Sequence, residues 1–487
     1  MSGMRKLSRR DFLRLSAGIA GLAALSSACT PAAPPAAAPQ AAGEAAPAAA
    51  PAQKTITVWW WTGPTEQAVV SEFQKAFPDI KVELTELGEA VYGTPKYTTA
   101  VAAGKGPDVA HQNRHTFRQF ATRKLYRAID DLFQRDGWKK EDFPPEQMKI
   151  MTWDGVLYGL PYQVGMRFFY WNRKHFEEAG LDPNTPPKDW TELEAFTAKL
   201  NKGEGEDIER FGFIPGFPPG LKDQLLIFAM ENGGESMDEE GRVSLLDTDP
   251  WVEALEWVTM IYDKYCGGFG TVSGFIEGFA GQAQDAFSTQ QISMTSYGDW
   301  MIGFYSGFPD LDYDGTPLMP PSPALAGQKV NWACDWSFVI DPNTKNVDPA
   351  WEFLKYAVGP EGFRAAATVG MDLARENWKR QELPGEPIYA PEPPAYRPTR
   401  EMIMNEFYTK LPDRERKMCE ANADAATWSK ECGVIGGLAA TELWVEMARA
   451  WERAVSHESD ARTALADAKA NHQKALDEAW KKLESGG

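Results

Sequence analysis

The stretch from Thr55 to Leu87 constrains the fold more than any other. "TITVWWW" (Thr55–Trp61) is an unbroken apolar run of strand length. The residues after it place Val69, Phe73, Ala76 and Phe77 on one helical face, and "IKVELTEL" (Ile80–Leu87) alternates apolar with polar. Strand, helix, strand is a β-α-β unit, whose strands pair in parallel. After a glycine turn, "GPDVA" supplies a third short strand and "FRQFATRKLYRAIDDLF" a helix. The expected fold class is therefore α/β, with mainly parallel sheet flanked by helices. In such sheets ligands lie beyond the carboxyl ends of the strands.

What precedes this unit reads as an address. "SRRDFLRLSAGIAGLAALSSAC" pairs Arg9 with Arg10, continues as an apolar run too short for a membrane span of about 20 residues, and reaches Cys29 after small residues. This pattern resembles a twin-arginine export signal ending at a lipid-modified cysteine. Ser26 stands where an aliphatic residue is usual before such a cysteine, so cleavage after Ala28 without lipid is the other reading. Residues 30–53 are almost wholly Ala and Pro and form a semi-extended spacer without a core. The mature protein is expected at the cell envelope, on the outer face of the cytoplasmic membrane or in the periplasm.

A length of 487 residues calls for two or three units, or for two discontinuous lobes. The formal charge of −19 repels phosphate backbones, so nucleic acid is not an expected partner. Cys266, Cys334, Cys419 and Cys432 lack C-x-x-C spacing; Cys419 and Cys432 are the pair nearest in sequence, and buried free thiols are the alternative. In "AAGKGPDVAHQNRH" (Ala102–His115), Gly104-Lys105-Gly106 runs into Pro107-Asp108, which breaks a phosphate loop. His111 and His115 have i, i+4 spacing but no glutamate beside the first, so no metal is expected there. No G-x-S-x-G, H-E-x-x-H or strand-borne G-x-G-x-x-G occurs, although carboxylate pairs of a polysaccharide hydrolase cannot be seen in sequence.

Four segments carry a family resemblance in order: Gly104–Asp108 ("GKGPD"), Gly155–Tyr162 ("GVLYGLPY"), Trp171–Asp182 ("WNRKHFEEAGLD") and Pro186–Leu193 ("PPKDWTEL"). With 233–258, 287–301 and 346–363 they resemble the solute-binding proteins of bacterial ABC importers, the group containing the maltose-type sugar binders. The resemblance covers most of residues 54–480. It departs at Trp59–Trp61, where the family has one aromatic. It implies a two-lobe periplasmic-binding-protein fold of type II. Lobe 1 would comprise 54–161 and 320–370, and lobe 2 162–319 and 371–487, with crossings near 161–168 and 314–322 and a further one near 361–375. It also implies a monomer without cofactor, catalytic residue or metal, which binds a sugar or oligosaccharide and hands it to an ABC permease. Members of the group also carry glycerol phosphates and other polar solutes. Rival classes are the hydrolase above and a surface adhesion or scaffold lipoprotein.

Sugars require hydrogen-bonding groups for hydroxyls and aromatic faces for C–H surfaces. Matched to the family motifs, the expected contacts are Thr62, Gly63, Thr65 and Glu66 after the first strand, and Gln112, Asn113 and Arg114 after the third. Tyr162 and Gln163 follow at the first crossing, then Asp299 and Trp300 in "YGDWM", Asp335 and Trp336 in "WACDWSF", and Trp444 in a late helix. "HQNRH" is thus expected to display amide and guanidinium donors on a cleft loop. Asp108 is expected to be structural, stabilising its turn.

Overall fold

The first β-α-β unit forms as its periodicity requires. In the computed structural model, strand β1 (Lys54–Trp60) pairs in parallel with β2 (Ile80–Glu86) from Lys54↔Ile80 to Trp60↔Glu86. Helix α1 (Pro64–Ala76) crosses between them and buries Val69, Val70 and Phe73. The structure describes residues 53–86, 95–203, 208–216, 224–279, 284–333, 336–431 and 437–485. The export signal, Cys29, the spacer to Ala52, Cys334, Asp335 and Cys432 lie outside the described residues.

Strand β3 (Val109–Asn113) joins β1 in parallel, and a five-stranded sheet is completed by β4 (Gly159–Pro161) and β9 (Trp336–Ile340) in the order β2-β1-β3-β9-β4. The turn before β3 is locked by Asp108. Its carboxylate accepts from the Thr57 amide (2.7 Å) and hydroxyl (3.0 Å), from Asn346 Nδ2 (3.2 Å) and from the Thr344 hydroxyl. A side chain at Gly106 would collide with the Asp341 carboxylate, so the turn requires glycine.

A second sheet has the order β8-β5-β7-β6, from β5 (Arg167–Asn172), β6 (Phe211–Phe213), β7 (Ile292–Gly298) and β8 (Tyr313–Thr316). Both sheets are mainly parallel in strand direction, as expected, and each contains a single reversed strand. β9 runs antiparallel to β3 and β4, and β5 runs antiparallel to β7 and β8. The reason is topological. A parallel neighbour needs the chain to return to the same sheet end, whereas a chain arriving from the other lobe enters at the shared end and must run the opposite way. β5 and β9 are those entering strands. The carboxyl ends of β1, β3 and β4 thus lie at one end of the first sheet, and those of β6, β7 and β8 at one end of the second.

Two apolar cores result. The first gathers Trp60, Phe73, Val109, Phe338 and Phe353; the second gathers Trp171, Phe213, Trp251, Leu255, Met447 and Leu465. β5 divides its side chains with period two, Phe168 and Tyr170 to the first core, Phe169 and Trp171 to the second. Helices α3 (Gln224–Glu231) and α4 (Asp249–Tyr265) cover the second sheet, with α9 (Ala440–Val455) and α10 (Ala461–Glu484) packed on them. On the first sheet, α6 (Val347–Val358) buries the expected stripe Ala350, Phe353, Leu354, Ala357 and Val358. The crossing expected near 361–375 is instead part of an unbroken helix, α7 (Pro360–Arg380), which lies against α1. Cys266 and Cys419 are buried free thiols.

Candidate ligand-binding site

Trp60, the last residue of β1, and Trp61 just beyond it take different roles because successive strand side chains point to opposite faces. Trp60 is buried, its ring 5.6 Å from Tyr162 and 5.0 Å from Phe338. Trp61 is half-buried against His111 (4.8 Å) and Trp336 (5.1 Å). His111 belongs to a strand, so its i, i+4 relation to His115 has no helical meaning. Its ring stacks on Trp336 at 5.0 Å and 19°, and burial, then the Arg114 charge, holds its pKa well below the usual value.

The loop after β1 is polar. Thr62 donates from its amide (2.7 Å) and hydroxyl (2.6 Å) to Glu86 Oε2; Gly63 precedes α1, and the Thr65 hydroxyl donates to Glu66 Oε2 at 2.9 Å. Burial, then hydrogen bonds that oppose it, leaves the Glu66 carboxyl above its ordinary value. After β3, the Asn113 carboxamide oxygen accepts from the His115 amide at 2.9 Å. Gln112 is 1 % exposed, and its side-chain amide has no partner among the described residues.

Arg114 does not display its guanidinium to the cleft. It is fully enclosed, and Nη1 donates to the carbonyls of Gln163 (3.0 Å) and Trp336 (2.9 Å). A buried cation requires such partners, and here they tie the first crossing to the start of β9. Asp299 is buried likewise: its carboxylate accepts from Asn422 Nδ2 at 2.6 Å and its amide donates to Met166 O at 3.1 Å. Both residues hold the frame of the site.

Trp300 follows β7 and is 41 % exposed. Its ring folds over Gly298, where any side chain would collide with it. Behind it lies the Arg167 guanidinium, 5.6 Å from the Trp300 centroid and 5.0 Å from Trp332. Trp332 in turn meets His115 (5.9 Å), and His115 meets Trp444 edge-on (4.6 Å). Trp444 is half-buried with its indole N–H unpartnered among the described residues. Burial, then Arg167 and Arg114, pushes His115 down to about 3.

Tyr162, Gln163 and Trp300 line one cavity of about 370 Å³ at the first crossing, within the ordinary range for small-molecule pockets. Its remaining wall comes from Gly303, Phe304, α7 and the 387–392 segment, including Trp378, Tyr389 and Glu392. Gln163 Nε2 donates to Glu392 Oε2 at 2.5 Å. The structure therefore groups Tyr162, Gln163 and Trp300 at the cavity and sets Trp336 against Trp61 and His111. It joins Trp444 to Trp300 through the His115–Trp332–Arg167 stack. Sequence reasoning missed Arg167, Trp332, Tyr389 and Glu392. Trp332 shares a segment with Trp336, but the proline-rich "PIYAPEPPAY" offers no periodicity to read.

Two α/β lobes, chain crossings between them and a cavity of aromatic and amide groups at a crossing define a two-lobed binding protein. Over residues 59–362 the chain matches the family described as bacterial extracellular solute-binding protein, and it belongs to that family. A putative binding protein of Brucella abortus (strain 2308) is 25% identical over 296 residues, 61% of this chain and 68% of the relative. The arabinooligosaccharide-binding protein of Bacillus subtilis (strain 168) is 26% identical over 352 residues, 67% of this chain and 75% of the relative. Among solved structures, CpMnBP1 with mannobiose bound shares the fold with a TM-score of 0.67 at 24% identity, covering 86% of this chain and all of that one.

Proposed function

We propose that this protein is exported, binds a sugar or oligosaccharide between its lobes, and delivers it to the transmembrane subunits of an ABC importer. The observation that carries the reading is Trp300: a large aromatic face left in the open, at a cavity that also presents Tyr162 and Gln163. An indole face with amide and hydroxyl groups beside it is what a sugar ring requires. The relative that binds arabinooligosaccharides and the structural neighbour holding mannobiose support the same class of solute.

In this reading Thr62, Gly63, Thr65, Glu66, Asn113, Tyr162, Gln163, Trp300, Asp335, Trp336 and Trp444 contact ligand, while Gln112, Arg114 and Asp299 hold the frame. The chain passes between the lobes near 161–168 and 314–322, with 360–380 kept on lobe 1, and acts as one monomer. Arg9 and Arg10 direct export, and lipid on Cys29 anchors the chain through its spacer. No catalytic step is assigned. Calorimetric titration with mannobiose, arabinotriose and maltotriose tests the proposal, with chromatography of the same mixtures. Reversible heat with the sugar intact is the expected result. Cleaved sugar, or no heat from any saccharide, refutes it.

A further inference from the structure

The charge around the cavity narrows the solute further, resting on the binding reading above. We propose that this cavity selects uncharged saccharides and rejects anionic solutes, and that Glu392 is the residue that sets this selectivity. Trp300, Trp378 and Tyr389 supply aromatic wall, and Gln163, Asn377 and Glu392 supply polar groups. No lysine, arginine or histidine lines it among the described residues.

Two guanidiniums that touch lining residues are committed elsewhere. Arg114 is enclosed and donates to two backbone carbonyls, and Arg167, 6 % exposed, is held between the rings of Trp300 and Trp332. A carboxylate, by contrast, stands in the wall: Glu392 lines the cavity beside Tyr389, and after burial its charge is the next cause that raises the Tyr389 phenol pKa. A phosphate or carboxylate leaving water here would lose hydration, find no cationic partner among the described lining residues and meet the Glu392 carboxylate. A hydroxyl has the opposite fit, because its O–H donates to a carboxylate and the ring carbons cover an aromatic face. The Gln163 amide, bonded to Glu392 Oε2, orients that carboxylate for the purpose.

Two measurements decide the matter. First, iodide and caesium quenching at constant ionic strength are compared between the protein and its Trp300→Phe variant, whose difference isolates the Trp300 emission. Caesium should quench that emission several-fold more than iodide, and Glu392→Gln should narrow the gap; equal quenching overturns the proposal. Second, mannobiose and maltotriose are titrated beside sn-glycerol 3-phosphate and glucuronate. The neutral sugars should bind and the anions should not, and Glu392→Gln should weaken the neutral sugars by roughly tenfold or more. Tighter binding of either anion overturns the selectivity while leaving solute binding intact. Caesium preference with no saccharide bound supports the charge assignment and removes the saccharide reading instead.

Discussion

Replacing Trp300 by alanine separates a ligand platform from a core residue by magnitude. A fully buried indole covers roughly 150–250 Å², and Trp300 is 41 % exposed. That exposure leaves on the order of 80 Å² of ring for a ligand. At about 25 cal/mol per Å², full coverage of that face contributes about 2 kcal/mol and half coverage about 1, so Trp300→Ala should weaken saccharide binding roughly five- to thirtyfold. Its inner face holds Gly298 and the Arg167 guanidinium, and losing that packing should cost about 1–2 kcal/mol of folding stability. A core tryptophan replaced by alanine costs about 3–5 kcal/mol. Calorimetry and urea unfolding on the same variant read both quantities. Unchanged affinity, or a core-sized stability loss without a binding defect, would refute the reasoning.

Four further outcomes are expected. Arg114→Met strips donors from the buried carbonyls of Gln163 and Trp336 and should cost about 2–5 kcal/mol in urea unfolding; a cost within 0.5 kcal/mol of zero would deny the strut. His115, His175 and His472 are held down to about 3, 4 and 4, first by burial, from an ordinary value of 6.5. Their neutral forms thus contribute stability that is complete above pH 6.5 and lost as pH falls toward the folded values, so His115→Gln should flatten the acid limb of a stability–pH curve. Glu231 is pushed up to about 8 by burial from 4.5. The folded state therefore holds a proton that the unfolded chain releases, stability falls as pH rises from 4.5 to 8, and Glu231→Gln should remove that slope. Finally, Arg9→Lys with Arg10→Lys should retain the protein inside the cell, and Cys29→Ala should release it from membranes, both read by fractionation; membrane-bound Cys29→Ala protein would remove the anchor.

Sequence by itself determined the α/β class, because burial of one face imprints a period on the chain. The β1-α1-β2 unit, the α6 stripe and the helix opened by Asp249-Pro250, which buries Trp251, Leu255 and Val258, all form as their periodicity requires. It also pointed to strand ends, where the polar loops after β1 and β3 and the exposed Trp300 are found. Tertiary structure alone decided which strands are reversed, since periodicity carries no polarity and the entering strands β5 and β9 take theirs from where the chain re-enters the sheet. It decided the role of Arg114 as well. Whether a guanidinium faces ligand or acts as a strut depends on carbonyls such as that of Trp336, 222 residues away, and Glu392 comes to Gln163 across 229. Those partners meet only once the chain has folded, Trp336 beside Arg114 through the pairing of β9 with β3, and no local pattern along the chain records which distant group will arrive.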